Sequence, residues 1–550
     1  MAKFVFVTGG VMSGIGKGVV GASIGKIMQA RGLKVTAVKI DPYLNYDAGT
    51  MNPYIHGEVF VTEDGGETDM DIGTYERFLD INIPKSHNIT TGQVYSSVIE
   101  KERRGDFLGK CVQIIPHITD EIKERLRRIA KENQTDLVIV EIGGTVGDIE
   151  SLPYLEAARE FRLEEGSKNV ANVHVTLVPS LDVVGEQKTK PTQHSVQELR
   201  RIGLQPDIIV ARSKAPLKPG PKQKIALFCN VEEKGVFSST DMQNIYQSPL
   251  LLDKEGLGDF LLDNLQLPKV KPDWKPWEQI VTDHLNLTKQ VNIAVCGKYA
   301  ELADCYVSVN EALKDAGAAS KAKVNLEWIE TDNFETDPNK VKVLSTFDGI
   351  LVPGGFGVRG AEGKIRAIEY ARTHDIPFLG ICYGFQLAVV EYARSIGIQG
   401  ANSSELDPNP KNHVIDLMPE QTEVLEKGGT MRLGAHEIQV DTGTQAYRLY
   451  QESKIRERHR HRYEVNPKFI SHLTSRGLAF SGRSDSGYRM EIMELAPNRF
   501  HFATQFHAEF KSRPGRPSPP YFGLVQASLS AKAPQISAEP MVAHQQSTGR

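Results

Sequence analysis

The sequence predicts an α/β protein built of two doubly wound domains. Short apolar runs, such as residues 4–7 and 137–140, alternate with helical patterns up to about residue 265. A segment rich in proline and lysine interrupts this pattern at 268–290, and the alternation resumes with the apolar run 291–295. Apolar strands separated by helices are typical of a parallel sheet that helices cover on both faces.

The length of 550 residues also predicts at least two domains. We expect residues 1–267 to form the first domain, 268–290 an interdomain linker and 291–529 the second domain. Residues 530–550 are rich in alanine, proline, glutamine and serine and lack periodicity, so we expect a disordered tail there.

Composition narrows the class of protein. The net charge of −4 gives no electrostatic case for binding nucleic acid or an anionic membrane. Its five cysteines are scattered and form no metal-binding pair, which indicates a reducing compartment. We expect a cytoplasmic enzyme, since no apolar run spans a bilayer and the first residues do not form a leader peptide.

Cys382 lies in a predicted nucleophile elbow. An apolar run, 376–379, precedes it, a helical run follows at 387–394, and Gly380 and Gly384 flank it. Small residues allow the sharp bend that exposes such a side chain, and the helix N-terminus favours a thiolate. A buried structural cysteine is the alternative interpretation. His507 and Glu509 supply a base and a group to orient it, and on a strand both would face the same side.

Residues 8–18 predict a phosphate-binding loop, because they follow the first strand, open the first helix and include Lys17. The alternative is a glycine-rich turn without function. The spacing differs from a Walker A loop, and Gly18 stands where a serine or threonine would bind magnesium. Carboxylates must then supply hard oxygen ligands. Glu141 ends a predicted strand, and Asp69 and Asp71 are the other candidates.

Two further segments suggest additional phosphate sites. A second glycine-rich loop, 141–150, follows a strand. The predicted loop 188–193 carries two lysines, two threonines and a glutamine, which suit a polyanion, and Lys224 adds a charge. A solvated basic loop is the alternative interpretation of 188–193. The segment 41–71 is irregular and long for a connector, so we expect it to be functional.

The elbow with its later His-x-Glu sequence resembles the class I glutamine amidotransferases, which release ammonia from glutamine through a Cys-His-Glu triad. Ala508 stands where those proteins usually have proline. Six segments together resemble the CTP synthase family over nearly all of residues 1–525. These segments are 9–18, 56–60, 141–150, 188–195, 429–434 and 458–464.

The resemblance implies a P-loop-like synthetase domain followed by a class I glutamine amidotransferase domain. It also implies ATP-dependent amination of UTP to CTP through a 4-phosphorylated UTP, with Mg²⁺, with ATP as co-substrate, and with ammonia supplied free or from glutamine. Feedback inhibition by CTP, activation by GTP and a homotetramer follow from the same resemblance.

The resemblance also assigns residues. The implied catalytic residues are Cys382, His507 and Glu509, and the implied metal ligands are Asp71 and Glu141. The implied ATP site comprises Gly14, Ile15, Gly16, Lys17, Gly18, Val19 and Asp71. The implied UTP or CTP site comprises Ser13, Asp148, Ile149, Glu150, Lys188, Thr189, Lys190, Pro191, Thr192, Gln193 and Lys224. The implied glutamine site comprises Gly355, Tyr383, Gly384, Phe385, Gln386, Glu405 and Arg462.

Lys17 and Lys39 would stabilise charge in phosphoryl transfer, and His56 is a candidate for an ammonia passage. Tyr383 and Phe385 stand where family members often have leucine and methionine, so a glutamine pocket of altered shape is expected. Family members commonly have serine at the position of Gly14, which leaves that residue a backbone role.

Three alternatives remain at the sequence level. One is a glutamine-dependent amidoligase that acts on a carboxylate, against which the 188–193 segment argues. Another is a nucleotide-binding assembly protein with secondary activity. The third, a nucleic-acid patch at 456–462, explains Arg462 less well than a carboxylate-binding role does.

Overall fold

The computed structural model describes residues 2–181, 185–298, 303–409, 411–421 and 428–531. The strands of the first half are β1 (Lys3–Gly9), β2 (Val35–Asp41), β3 (Val59–Val61), β4 (Glu67–Asp69), β5 (Asn88–Thr90), β6 (Leu137–Ile142), β7 (Val170–Leu177), β8 (Ser180–Leu181), β9 (Glu186–Gln187), β10 (Ile208–Ser213) and β11 (Val236–Thr240). Its helices are α1 (Lys17–Gln29), α2 (Pro53–His56), α3 (Met70–Leu79), α4 (Thr91–Arg104), α5 (Thr119–Asn133), α6 (Leu152–Glu165), α7 (Lys190–Arg201), α8 (Pro219–Cys229), α9 (Ser248–Lys254), α10 (Leu257–Asn264) and α11 (Lys275–Leu285).

Within the described residues, the first domain centres on a seven-stranded sheet in the order β11-β10-β7-β1-β6-β2-β5. Every pairing in this sheet is parallel. One apolar cluster, which includes Val5 and Ile139, covers one face, and another, which includes Phe6 and Val140, covers the other. The predicted parallel sheet with two covered faces is therefore confirmed. Its buried strands read as apolar runs because both faces lie in a core.

The segment 41–71 is more regular than the sequence suggests. It contains helix α2 and an antiparallel hairpin of β3 and β4. Phe60 on β3 is fully buried and contacts Phe510 of the second domain, with ring centroids 5.0 Å apart. The prediction of an irregular segment was wrong for the hairpin, because contacts with the other domain order a stretch that shows little local periodicity.

The second domain is also α/β. Its strands are β12 (Lys289–Gly297), β13 (Ala322–Glu330), β14 (Gly349–Val352), β15 (Phe378–Ile381), β16 (Ala401–Ser403), β17 (Asn412–Leu417), β18 (Arg432–Val440), β19 (Lys454–His461), β20 (Tyr463–Val465), β21 (Ala479–Ser484), β22 (Arg489–Glu494) and β23 (His501–Thr504). Its helices are α12 (Val307–Ala319), α13 (Asp332–Thr336), α14 (Ala361–Thr373), α15 (Tyr383–Ser395), α16 (Gln445–Tyr450), α17 (Pro467–Ser475) and α18 (Pro519–Ala531).

Nine described strands form a mixed sheet in this domain, in the order β13-β12-β14-β15-β23-β22-β21-β18-β19. The first five strands pair in parallel, and the pairings from β23 to β19 are antiparallel. The predicted α/β class is confirmed, and the antiparallel half is an addition that the sequence pattern did not reveal. This half brings β19 to the boundary with the first domain.

The segment 268–290 contains helix α11, and β12 begins within it at Lys289. Trp277 of this helix is buried in the core of the first domain, beside Phe78 and Tyr246. At the other end of the chain, α18 extends to Ala531, and residues 532–550 lie outside the described residues. Among the helices that the structure describes, none is long and apolar enough to cross a membrane.

Candidate active sites

Cys382 lies at a sharp turn between β15 and α15. Its backbone angles are φ 48° and ψ −95°, a strained conformation for a residue with a side chain. Gly384 is required here, since a Cβ atom on it would lie 2.2 Å from the Val352 carbonyl oxygen. The Cys382 N–H donates to the Thr504 carbonyl over 2.7 Å and holds the turn on the neighbouring strand. This geometry matches that of a nucleophile elbow.

His507 and Glu509 lie beside Cys382, but not on a strand. Strand β23 ends at Thr504, and a 3₁₀ turn runs from Ala508 to Lys511. The prediction of an alternating strand was therefore wrong, and the turn brings the two side chains together. His507 Nδ1 lies 2.7 Å from Glu509 Oε1, and the Tyr521 hydroxyl donates to Glu509 Oε2 over 3.3 Å. Glu509 is thus held in place to orient the imidazole.

Charge interactions dominate the titration of His507. Burial alone lowers the pKa of His507, but the negative charge of Glu509, together with the neighbouring Cys382, raises this pKa to about 10. The Cys382 Sγ–H donates to the Arg460 carbonyl over 3.6 Å, and Gln505 Nε2 donates to Sγ over 3.7 Å. The site therefore favours an imidazolium that can give up a proton beside a sulfur nucleophile.

A cavity of about 490 Å³ opens beside Cys382. Four of the expected glutamine-site residues line it, namely Gly355, Gln386, Glu405 and Arg462. Glu405 Oε1 accepts the Gly357 N–H over 2.8 Å, and burial raises the pKa of its carboxyl group. Arg462 Nη2 donates to the Thr430 hydroxyl over 3.0 Å. A carboxylate and a guanidinium that line the same cavity suit an α-amino acid.

Three of the expected glutamine-site residues do not line this cavity as the described residues define it; they are Tyr383, Gly384 and Phe385. The Tyr383 hydroxyl donates to the Gly357 carbonyl over 2.7 Å, and its ring faces Lys364. Phe385 is fully buried in the domain core. The helical turn after the elbow directs both aromatic side chains into the domain core, and neither of them lines the cavity beside Cys382.

The phosphate loop lines a second cavity, of about 900 Å³, at the carboxyl ends of β1, β2 and β6. All the expected ATP residues and Ser13 line it. Gly16 has φ 94°, and Lys17 Nζ donates to the Gly144 carbonyl over 2.6 Å. A Cβ atom on Gly18 would lie 2.4 Å from Asp71 Oδ1, so this glycine makes room for a carboxylate. Asp71 thus occupies the space beside the loop position where a Walker A hydroxyl would lie.

Four carboxylates surround one buried ammonium group in this cavity. Lys39 Nζ contacts Asp71 Oδ2 and lies 3.5 Å from both Asp69 Oδ1 and Glu141 Oε1, and 3.8 Å from Asp41 Oδ1. Burial and the charge of Glu141 raise the pKa of the Asp71 carboxyl to about 7. Burial and Asp69 likewise raise the pKa of Asp41 to about 8. A cluster of oxygen donors with excess negative charge fits Mg²⁺.

Asp41 was missed in the sequence analysis as a member of this cluster. The sequence does contain a signal for Asp41, because this residue ends an apolar strand that pairs with the strand carrying Glu141. Tyr75 was also missed, and its hydroxyl donates to Glu141 Oε2 over 2.6 Å. No local pattern marks Tyr75, because it reaches Glu141 only through the packing of α3 against the sheet.

The expected UTP and CTP residues separate into two groups. Asp148 and Glu150 line the 900 Å³ cavity with Ser13, and Ile149 is exposed beside them. Lys188, Thr189, Lys190, Pro191, Thr192, Gln193 and Lys224 do not line that cavity as the described residues define it. Residues 190–193 form the first turn of α7, so the predicted loop was wrong there. Thr189, Thr192 and Gln193 are buried, and Lys190 and Lys224 are exposed.

The segment around α2 lies between the two sites. His56 lines the 900 Å³ cavity, with Nε2 3.4 Å from Asp69 Oδ2. Pro53, Glu58 and Val59 line a smaller cavity of about 120 Å³, which also includes Cys382 and His507. Burial lowers the pKa of His56, which favours the neutral imidazole.

Comparison with known proteins identifies both halves. The family described as CTP synthase N-terminus matches residues 3–267, and glutamine amidotransferase class-I matches residues 301–527. A CTP synthase from Pyrococcus furiosus is 59% identical over 534 residues, which cover 97% of this chain and 99% of the relative. The chain belongs to the CTP synthase family.

A second CTP synthase matches over a similar length. The relative from Archaeoglobus fulgidus is 56% identical over 96% of this chain and 98% of its own length. A solved structure of the Trypanosoma brucei CTPS glutaminase domain with bound acivicin covers 44% of this chain and 94% of its own, at 34% identity and a TM-score of 0.42. The enzyme is a glutamine-hydrolysing ligase that aminates UTP to CTP and uses ATP. This membership favours amination of UTP over amidation of a carboxylate as the activity.

Proposed function

We propose that the two cavities divide the reaction of this enzyme between them. Glutamine is hydrolysed at Cys382, His507 and Glu509, and the amination of UTP takes place beside the phosphate loop. The observation that carries this proposal is the contact of His507 with Glu509 beside the strained elbow of Cys382. The second cavity contains the loop and the carboxylates that a nucleotide needs.

In the glutaminase site, the Cys382 thiolate attacks the side-chain amide carbon of glutamine. The Gly355 N–H stabilises the negative charge on the amide oxygen, and Glu405 and Arg462 hold the amino and carboxylate groups. The C–N bond breaks as His507 protonates the departing nitrogen, which leaves a thioester and ammonia. His507 then takes a proton from water, which hydrolyses the thioester to glutamate. Glu509 keeps the imidazole in the required orientation.

Ammonia then passes along the α2 segment. Pro53 and Glu58 line the cavity on the Cys382 side, and His56 lines the synthetase cavity. The lowered pKa of His56 supports passage of neutral ammonia, because an uncharged imidazole, unlike an imidazolium, does not protonate it to ammonium.

In the synthetase site, ATP lies on residues 14–19, and Asp71 and Glu141 hold Mg²⁺. The metal, when bound, neutralises charge on the phosphate oxygens. Lys17 and Lys39 stabilise the transferring phosphoryl group, which moves to O4 of UTP and turns that oxygen into a leaving group. Ammonia attacks C4, and phosphate leaves. The buried position of Lys39 among four carboxylates supports a role in balancing charge as the nucleotide and metal enter.

UTP and the product CTP share Ser13, residues 148–150, residues 188–193 and Lys224, so CTP acts as a feedback inhibitor. GTP acts as an activator, and the enzyme works as a homotetramer in the cytoplasm. Exposed apolar side chains at Leu108, Ile114 and Ile115 support subunit contacts. All five cysteines are free, which suits a compartment that keeps a catalytic thiol reduced.

Cys382→Ala separates the two half-reactions. The variant is expected to make no CTP from glutamine and to keep its rate with ammonium chloride, because the synthetase site needs no thiol. The ultraviolet absorbance change of UTP to CTP measures both rates. Cys111→Ala, which changes an exposed cysteine, is the control. Retained use of glutamine contradicts the assignment of the nucleophile, and loss of both rates in a folded variant contradicts the division into two sites.

A further inference from the structure

A buried ion cluster joins the two domains behind Cys382, His507 and Glu509. Glu76 of α3 lies in the first domain, and its Oε2 is 2.9 Å from Arg458 Nη2 and 2.5 Å from Arg513 Nη2. The side chains of Glu76 and Arg458 are 0% exposed. The Ile83 N–H donates to the second oxygen of Glu76 over 2.8 Å. Both guanidinium groups share this carboxylate, and a buried charge that loses a partner is strongly unfavourable.

The backbone of Arg458 holds the general base. Its carbonyl oxygen accepts the His507 N–H over 2.8 Å. Two residues further along β19, the Arg460 carbonyl accepts the Cys382 Sγ–H. Strand β19 therefore positions both reacting side chains, and the Arg458 guanidinium anchors that strand to the first domain. Arg458 also donates from Nε to Glu63 Oε2 over 3.1 Å and from Nη1 to the Val61 carbonyl over 3.0 Å.

The backbone around Arg513 holds the group that orients the base. Arg513 Nη1 donates to the carbonyl oxygens of Phe510 and Ser512, each over 2.9 Å. These bonds brace the 508–511 turn, on which Glu509 lies. The Phe510 ring stacks on the His507 ring, with centroids 5.1 Å apart and an interplanar angle of 16°. One carboxylate thus secures the two segments that fix the geometry of His507 and Glu509.

We propose that Glu76 is a positioning residue for glutamine hydrolysis. It does not touch glutamine but fixes His507 and Glu509 through Arg458 and Arg513, from the opposite domain. This inference rests on the proposed function of Cys382, His507 and Glu509. None of the family segments named in the sequence analysis includes Glu76, and only the docking of the two domains brings this residue close to Cys382, His507 and Glu509.

Glu76→Gln tests this role, because it keeps the size of the side chain and removes the charge that both arginines share. The kcat for glutamine hydrolysis is expected to fall at least about tenfold, since small misplacements of catalytic groups are costly. The KM for glutamine is expected to stay within about twofold, because Gly357 and Thr430, the partners of Glu405 and Arg462, are not members of the cluster. The rate with ammonium chloride is the internal control, since α3 also carries Asp71.

A second readout reports the geometry of the base directly. Alkylation of Cys382 by iodoacetamide, followed by mass spectrometry of its peptide, is expected to slow in Glu76→Gln, because His507 no longer assists loss of the thiol proton. Arg456→Gln is the matched control. Arg456 lies on the same strand, and its side chain is 61% exposed, with Nε 3.9 Å from Glu63 Oε1. Both readouts are expected to stay unchanged in this control.

Unchanged hydrolysis in a folded Glu76→Gln enzyme overturns the inference, as does a loss confined to KM. Equal loss of the ammonia-dependent rate also overturns it, because the residue would then serve the fold in general. If Glu76→Gln does not fold, the kcat for glutamine hydrolysis is measured in Arg458→Lys and Arg513→Lys instead. These variants keep the positive charge and lose the forked geometry of the guanidinium group. A normal kcat in both overturns the inference. Hydrolysis by Cys382→Ala, in contrast, refutes the proposed function itself.

Discussion

Gly18 and Asp71 form a matched pair at the phosphate loop. The missing Cβ atom at residue 18 leaves space for a carboxylate that a larger residue would displace. Asp71 shares the Lys39 ammonium with Glu141, Asp69 and Asp41. At the scale of single residues, this exchange of a loop hydroxyl for a remote carboxylate is the basis of the proposed magnesium site.

Asp71→Asn and Glu141→Gln are each expected to lower the ammonia-dependent rate by roughly 100-fold or more, because each removes a charged ligand for Mg²⁺. The absorbance assay at saturating ammonium chloride measures the loss, and isothermal titration of Mg²⁺ with ATP present checks its cause. Asp106→Asn changes an exposed acid and is expected to have no effect. Normal Mg²⁺ binding in both variants contradicts the assignment.

The His507–Glu509 contact predicts a pH-dependent stability. The pKa of His507 is raised to about 10, mainly by Glu509 once the opposing effect of burial is overcome. Because the folded pKa exceeds the unfolded value, the contribution is fully present below about pH 6.5 and is lost as the pH rises through 10. The Tm of Glu509→Gln is therefore expected to lie below that of the unchanged enzyme at pH 7, with a gap that narrows toward pH 10.

Differential scanning fluorimetry across this pH range measures the gap. A gap that stays constant or widens between pH 7 and pH 10 contradicts the proposed charge interaction. Glu437→Gln, which alters an exposed acid on β18, controls for general effects of charge removal.

At the scale of elements, the turn between β15 and α15 depends on close backbone approach. Gly384→Ala places a Cβ atom against the Val352 carbonyl, which is backbone and cannot rotate away. We expect a loss of about 1–3 kcal/mol in the free energy of unfolding and loss of glutamine hydrolysis. Gly220→Ala is the control, because nothing lies within 4 Å of its new Cβ atom. Urea denaturation and the glutaminase assay test both variants, and an equally stable, active Gly384→Ala enzyme contradicts the prediction.

Strand β19 acts at the same scale. Its arginines at 458 and 460 contact Glu76 and Glu67 of the first domain, while their carbonyls contact His507 and Cys382. Because side chains alternate along a strand, Arg458 and Arg460 lie on the same face of β19, where they contact the first domain. The backbone carbonyls of the same two residues contact the catalytic site. Arg458 and Arg460 therefore serve the domain interface, and Arg462 lines the cavity beside Cys382.

At the scale of the whole molecule, helix α11 of the predicted linker packs on the first domain. Trp277 is 3% exposed, and its Nε1 donates to the Tyr246 carbonyl over 2.9 Å. Trp277→Ala is expected to lower the free energy of unfolding by about 3–5 kcal/mol through the cavity that it leaves. Leu285→Ala, at the half-exposed end of the helix, is expected to cost much less. Urea denaturation followed by circular dichroism compares them, and equal stability of the two variants contradicts the prediction.

The sequence by itself determined the α/β class, the elbow, the phosphate loop and the need for carboxylate ligands. These features depend on short-range patterns, namely apolar runs, glycine spacing and the residue that ends a strand. Family resemblance extended them to the proposed glutamine site, of which Gly355, Gln386, Glu405 and Arg462 line one cavity.

Only the tertiary structure decided the rest. The 3₁₀ turn at 508–511, the hairpin of β3 and β4 and the antiparallel half of the second sheet arise from packing between distant segments. Asp41 and Glu76 acquire their surroundings in the same way, because the charges that face them come from other elements or from the other domain. Local sequence cannot encode such contacts, since each depends on where remote chain segments meet in the folded molecule.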